Sequence, residues 1–384
     1  MPSASADLLA ALVAFDTTSS RANLALIGYV RSILDAHGVP YRVSTNQAGS
    51  KANIHAIIGP QTDGGIALSG HVDTVPVDGQ AWTADPFALR RQDGRLIGRG
   101  ATDMKGFVAC CLAALPDLVA MRLAAPLHIF ISYDEEVDCA GARRLVADMA
   151  ESGLRPALCI VGEPSSMQPI VAHKGRTAAE VTARGRPGHS SRPAQGVNAI
   201  AAAAEAIVWL SAEARRSATQ GPFEDGFEPP HTTIHVGRIE GGTVLNIIPE
   251  RATFLVEWRT IPADDGPARA AALRAHLAAH VEPAMHAVDP ATGFDIALLD
   301  ALPGLSLPPA HRLADLVRQA TGANGAGKVS YGTEAGIFQE AGIAAIVCGP
   351  GDIAQAHQPD EWIAESELAR CDAFIRRIAG HLAA

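Results

Sequence analysis

Over its first 175 residues the chain alternates short apolar runs with segments of helical period. Ile66 to Gly70, Leu127 to Tyr133 and Leu158 to Gly162 are compact apolar stretches, each followed directly by polar residues. Between them, Met104 to Ala114 (continuing towards Met121) and Ala140 to Ser152, which ends at Gly153, read as helices. Short buried strands separated by helices predict an α/β layer built on a mostly parallel sheet. In such sheets the ligand crevice lies beyond the carboxyl ends of the strands. The polar residues after each run are therefore where chemistry is to be sought.

The texture changes near Lys174. Thr177 to Thr182 reads as a strand and Val197 to Arg216 as a long Ala-rich helix. A Gly/Pro-rich loop from Gln220 to Pro230 follows, then strands at Thr232 to Arg238 and Ala252 to Ile261. A helix from Pro267 to Val281 and a strand at Phe294 to Leu299 complete the segment. The order β-α-β-β-α-β predicts a ferredoxin-like unit. Beyond it the earlier style returns, with a helix at His311 to Thr321, a strand at Ala344 to Cys348 and a closing helix from Glu365 to His381. The expected organisation is one α/β domain from residues 1–174 and 300–384, interrupted by an inserted domain at 175–299.

Composition narrows this picture. Of 384 residues, 48% are hydrophobic and 19% charged, which supplies a sizeable core and excludes wholesale disorder. Aromatics are only 5%, so that core must be mostly Ala, Val, Leu and Ile. The net charge of -10 argues against nucleic acid or an anionic membrane as partner, since both require a basic footprint. No apolar run approaches the ~20 residues that span a bilayer, and no basic stretch precedes the first apolar one as in a signal peptide. The cysteines (Cys110, Cys111, Cys139, Cys159, Cys348 and Cys371) are scattered in mostly apolar segments and read as small buried thiols. A soluble, cytoplasmic protein is expected.

Chemically loaded residues fall at the predicted strand ends. His71 and Asp73 are two apart on extended chain and so point to one side, where the carboxylate can fix the imidazole tautomer. Asp103 closes the glycine-rich Gly98-Arg-Gly100-Ala-Thr-Asp103 just before a helix. Glu135 and Glu136 close one buried strand, Glu163 ends another, and His357 follows the last. Taken singly, each is more simply a cap or a solvated loop residue. Together they place imidazoles and carboxylates, without thiolate, at one sheet edge, a donor set suited to zinc, cobalt or manganese. A bridging carboxylate would hold two ions ~3.5–4 Å apart. Adjacent Glu135 and Glu136 should diverge, one binding metal and the other free to act as a base. Other candidates fall away. His231 and His235 lack the glutamate of a zinc-binding H-E-x-x-H helix, Gly98-Arg-Gly100 lacks the third glycine of a dinucleotide loop, and Gly188-His-Ser-Ser191 lacks nucleophile-elbow spacing.

With SGHVDTVPVDGQAW, GRGATDMKG, YDEEVDCAGA, GEPSSMQPIVAHKG, GHSSRPAQGVNAI, GGTVLNIIPE and YGTEAGIF through AHQPDEW in order, the sequence resembles the acetylornithine deacetylase / succinyl-diaminopimelate desuccinylase family of two-metal amidohydrolases. GHSSRP before GVNAI, the TEA triplet and AHQPDEW look more like the deacetylase. The resemblance implies one metal on His71 and Glu163, another on Glu136 and His357, and Asp103 bridging ahead of a cis peptide. It makes Glu135 the catalytic base, Asp73 the group that orients His71, and the inserted domain a dimerisation lid. From that lid His189 would polarise the scissile carbonyl of the neighbouring subunit's substrate. Asn246 and Arg259 match substrate-contacting positions, Arg259 being suited to a carboxylate. Gly332 and Glu334 are expected in a substrate-side loop, Glu334 reading an ammonium group.

The reaction so implied is hydrolysis of N-acetyl-L-ornithine to ornithine and acetate, within arginine biosynthesis, by a homodimer carrying two divalent ions, zinc or cobalt. Rivals are another N-acyl-amino-acid or dipeptide hydrolase of the same chemistry, a non-enzymatic metal- or peptide-binding protein, and a serine hydrolase using Ser190 or Ser191.

Overall fold

The structure is a computed structural model that describes residues 3–383. The chain forms two compact units, one of residues 1–172, 305–328 and 333–384, the other of residues 173–304 and 329–332.

The first unit is organised on a nine-stranded sheet whose central strands are Leu127–Ser132, Ile66–His71, Leu158–Pro164 and Ala344–Gly349, in that spatial order. These four run parallel, while Ala52–Ile58 and Tyr41–Thr45 add antiparallel strands on one side. The sheet is thus parallel at its centre and mixed at its flank. Every residue of Ala52–Ile58, Ile66–His71, Leu127–Ser132 and Leu158–Pro164 is buried, as for mainly apolar strands whose two faces are both covered. The helix Lys105–Ala113 is buried on nearly all sides, and the closing helix Glu365–Gly380 turns Leu368, Cys371, Phe374, Ile375 and Ile378 inward at i, i+3, i+4 spacing. Helix Ala140–Ser152 ends at Gly153 in the left-handed conformation, as its sequence predicts.

One close approach fixes the site. A Cβ on Gly162 would lie 2.1 Å from the Phe107 ring, so only glycine lets the Lys105–Ala113 helix seat against the strand that ends in Glu163.

The second unit has strands Gly175–Arg184, Thr233–Gly241, Arg251–Thr260 and Gly293–Leu302, with helices Ala199–Gln220 and Gly266–His280. Numbering its strands 1 to 4 along the chain, the spatial order is 2-3-1-4, all antiparallel, which is the ferredoxin-like arrangement. Asn198 and Asp265 cap the two helices through side-chain oxygens, and alternate residues of Arg251–Thr260 are buried under them. No helix of the described residues is long and apolar enough to cross a membrane.

Candidate metal centre

Strand register brings the first two side chains together. Ser69 pairs with Val161 across the parallel strands, so two residues on, His71 and Glu163 stand side by side. His71 Nε2 lies 3.5 Å from Glu163 Oε1 and 3.0 Å from Asp103 Oδ1. Asp103, whose bond to Met104 is cis, turns its other oxygen to His357 Nε2 at 3.2 Å. His357 Nε2 also lies 3.1 Å from the Glu136 carboxylate. Asp103 therefore stands between the two imidazoles, each with a glutamate beside it.

The residues fit a pair of divalent cations. His71 Nδ1 faces the Asp73 carbonyl at 3.0 Å, which can only accept, so in the neutral ring Nε2 is a lone pair turned towards two carboxylates. Lone pair and carboxylates facing one another is a donor set awaiting a cation. His71, Glu135 and Glu163 each offer an atom within 4.8 Å of the others, and so do His71, Asp103 and Glu136.

The electrostatics agree. Burial, then the charge of Glu163 and further carboxylates, pushes Glu135 well above the usual carboxylate range, against the pull of His71. Burial and Asp103 push Glu163 up to about 8. Hydrogen bonds to Asp103 and Glu136 hold His357 up at about 10. Burial would favour neutral His71, but the carboxylates of Asp103, Asp73 and Glu163 outweigh it and raise it well above its ordinary value. Burial disfavours a charged Asp103 too, but the two imidazoles outweigh it and hold that carboxyl below its usual range, so the crowded glutamates resist ionisation while the aspartate between the imidazoles does not.

Asp73 and Glu334 each hold further contacts. The closest partner of His71 Nδ1 is the Asp73 carbonyl rather than its carboxylate, whose Oδ1 lies at 3.4 Å. That carboxylate also accepts from Ser19 Oγ at 2.8 Å and from the backbone N–H groups of Glu135 and Glu136 at 3.1 and 3.3 Å, holding the acidic turn. Glu334 is fully buried, accepting hydroxyl hydrogens from Ser69 at 2.5 Å and Ser132 at 2.8 Å, one on each oxygen. A carboxylate among apolar strands needs those donors, and burial raises its pKa.

The remaining candidates lie in the second unit. His189 is exposed, and its Nδ1 accepts the Ser191 backbone N–H at 3.1 Å beside the Ser191 hydroxyl at 2.8 Å, leaving the hydrogen of the neutral ring on Nε2. Asn246 is exposed, its carbonyl accepting from Ser190 N. Arg259, half-buried, pairs with Glu257 at 3.0 Å, and Gly332 is half-buried. Sequence reasoning gave no role to Glu361, a buried carboxylate that receives the backbone N–H of Asp103. Its place in AHQPDEW, four residues after His357, was the available signal.

The model of peptidase family M20/M25/M40 matches residues 67–381. The chain belongs to this family. It is 39% identical over 379 residues, 97% of its length and 96% of the other, to an acetylornithine deacetylase of Myxococcus xanthus. Among solved structures it is similar to aminopeptidase PepT from Bacillus cereus (TM-score 0.74, 19% identity, 99% and 98% of the chains covered). It is also similar to the M20 metallo-carboxypeptidase Sso-CP2 from Sulfolobus solfataricus (TM-score 0.75, 16% identity, 98% of each chain). A third likeness is to the YxeP protein of Bacillus subtilis, described as a dinuclear metal-binding peptidase (TM-score 0.66, 16% identity, 98% and 96% covered). As an M20 protein the chain is a hydrolytic enzyme of the two-metal type.

Proposed function

We propose that this enzyme removes the acetyl group from N-acetyl-L-ornithine, releasing L-ornithine and acetate. The observation that carries the proposal is the placement of Asp103 between the imidazoles of His71 and His357, with Glu163 beside the first, Glu136 beside the second and Glu135 close by. The full-length likeness to an acetylornithine deacetylase selects the substrate.

In this reading His71 and Glu163 would hold one ion and Glu136 and His357 the other, with Asp103 shared between them. The ions are zinc, with cobalt as the alternative. Bound there, they supply a water of lowered pKa and a Lewis-acidic contact for the amide carbonyl. Glu135, whose pKa burial and neighbouring carboxylates raise, takes a proton from the attacking water and returns it to the departing amine. Asp73 holds the Glu135–Glu136 turn and, through its carbonyl, the His71 ring. His189 donates its Nε2 hydrogen to the developing oxyanion, a contact typically worth ~2.7–4 kcal/mol. Arg259 and Asn246 meet the substrate's carboxylate end, Gly332 lets it approach closely, and residues 175–299 provide the dimer contact. The setting is arginine biosynthesis in the cytoplasm.

Steady-state hydrolysis of N-acetyl-L-ornithine beside N-succinyl-diaminopimelate, with and without chelator, tests the proposal. Preference for the first substrate and loss of turnover in chelator are expected. Preference for the second would move the assignment to a desuccinylase, and chelator-resistant turnover would end the metal reading.

A further inference from the structure

The loop that presents Asp103 and the loop that presents His357 are joined by side chains outside the cluster. Glu361 is 1% exposed, and its carboxylate collects Thr102 N at 2.9 Å, Asp103 N at 3.1 Å, Gly100 N at 3.1 Å and Arg99 Nη1 at 2.8 Å. Arg99 is equally buried and donates through Nη2 to Gln80 Oε1. Its guanidinium lies 5.0 Å from the centre of the Trp82 ring, whose Nε1–H donates to the same Gln80 oxygen at 3.0 Å. Two donors on that oxygen fix which way the amide points. Gln80 Nε2 accordingly donates to the backbone carbonyl of His357 at 2.9 Å.

That last contact matters because of the backbone it holds. His357 has φ +59°, a conformation that a residue with a Cβ keeps only where its neighbours over-determine it, and its side chain is 50% exposed. Thr83 grips the same segment from the far end, its N–H and hydroxyl both donating to Asp360 Oδ1.

We propose that Gln80, Arg99 and Glu361 form a clamp that sets the spacing between Asp103 and His357, so that the ion held by His357 binds tightly only while the Gln80 amide grips the His357 carbonyl. The clamp residues touch neither ion nor substrate; they are positioning residues. The inference rests on the ligand assignment above.

The test titrates metal-free protein with Co²⁺ against a competing chelator, followed by visible absorbance and calorimetry. His357→Ala and His71→Ala assign the two equivalents. Gln80→Glu keeps an oxygen for Arg99 and Trp82 but has no hydrogen for the His357 carbonyl, and Gln80→Ala removes both contacts. In both variants the equivalent lost by His357→Ala should weaken by about 10–100-fold, with the other within about threefold, as for other groups that orient metal ligands. Wild-type affinity for both equivalents in Gln80→Glu would overturn the clamp, and so would equal weakening of the two. Wild-type protein that never takes a second equivalent would overturn the ligand assignment itself, independently of the Gln80 variants.

Discussion

His71 and Glu163 project from the ends of neighbouring parallel strands and are 0% and 4% exposed, whereas Glu136 and His357 project from loops, with His357 half exposed. The strand pair is placed by register and by the Phe107–Gly162 contact, both set by core packing. The loop pair is held by hydrogen bonds, among them those from Asp73 under the Glu135–Glu136 turn and from Gln80 on His357. Core packing is held by many small contacts and hydrogen-bonded loops by a few larger ones. The two halves of one centre should therefore fail in different ways.

The largest expected effect lies on the loop side. Glu135→Gln should lower kcat on N-acetyl-L-ornithine by about 10²–10⁴-fold with metal content unchanged, because only the proton-transfer group is lost. Elemental analysis beside kinetics checks both halves of that statement. Loss of metal together with rate would instead make Glu135 a ligand.

Glu361→Ala removes the acceptor of three backbone N–H groups and strips buried Arg99 of its charge partner. Breaking a buried pair in this way costs about 3–5 kcal/mol, which urea unfolding of metal-free protein would register. An unchanged midpoint would mean that the loop holds itself.

Gly162→Ala probes the strand side, since its Cβ would meet the Phe107 ring. Overpacking of this kind costs about 1–3 kcal/mol, and the His71–Glu163 ion should be the one that weakens. If the His357 ion weakened instead, the division into two halves would be wrong.

The smallest effect contrasts two buried imidazoles of the same sheet. His71 is raised by its carboxylates, but His55, whose ring N lies 2.8 Å from His128, is lowered to about 3, chiefly by burial and then by His128. As pH falls below the unfolded value near 6.5, the unfolded chain takes up a proton at His55 and the folded one does not. Stability is therefore intact above that value and is lost on descent towards pH 3, by about 1.4 kcal/mol per pH unit. Replacing His55 with Leu should flatten the slope of unfolding free energy between pH 6 and 5 by roughly that amount. A slope identical to wild type would contradict the burial argument.

Much of this was legible in the residues themselves. The central parallel strands, the ferredoxin-like order and the placement of His71 and Glu163 at strand ends, with Asp103 and His357 in loops, follow from apolar runs broken by polar residues. The strand Ala52–Ile58 was not read from the sequence, because Asn53 and His55 interrupt its apolar residues, and its antiparallel direction depends on pairing partners that local pattern does not encode. The burial of Glu334, expected in a substrate-side loop, was not legible, because its donors Ser69 and Ser132 lie far away in the chain. The same holds for Gln80 and Arg99, whose value lies in hydrogen bonds made across more than 250 residues of chain, from Gln80 to His357 (|i−j| = 277) and from Arg99 to Glu361 (|i−j| = 262).

The central claim is that one aspartate joins two ion sites on which amide hydrolysis depends. Counting bound ions per chain while measuring N-acetyl-L-ornithine turnover, through stripping and stepwise return of zinc, tests it most directly. The account predicts two ions per chain in active protein, turnover abolished on stripping and restored as zinc returns, and neither recovery in Asp103→Ala. Full turnover in stripped protein, or two ions retained by Asp103→Ala, would contradict it.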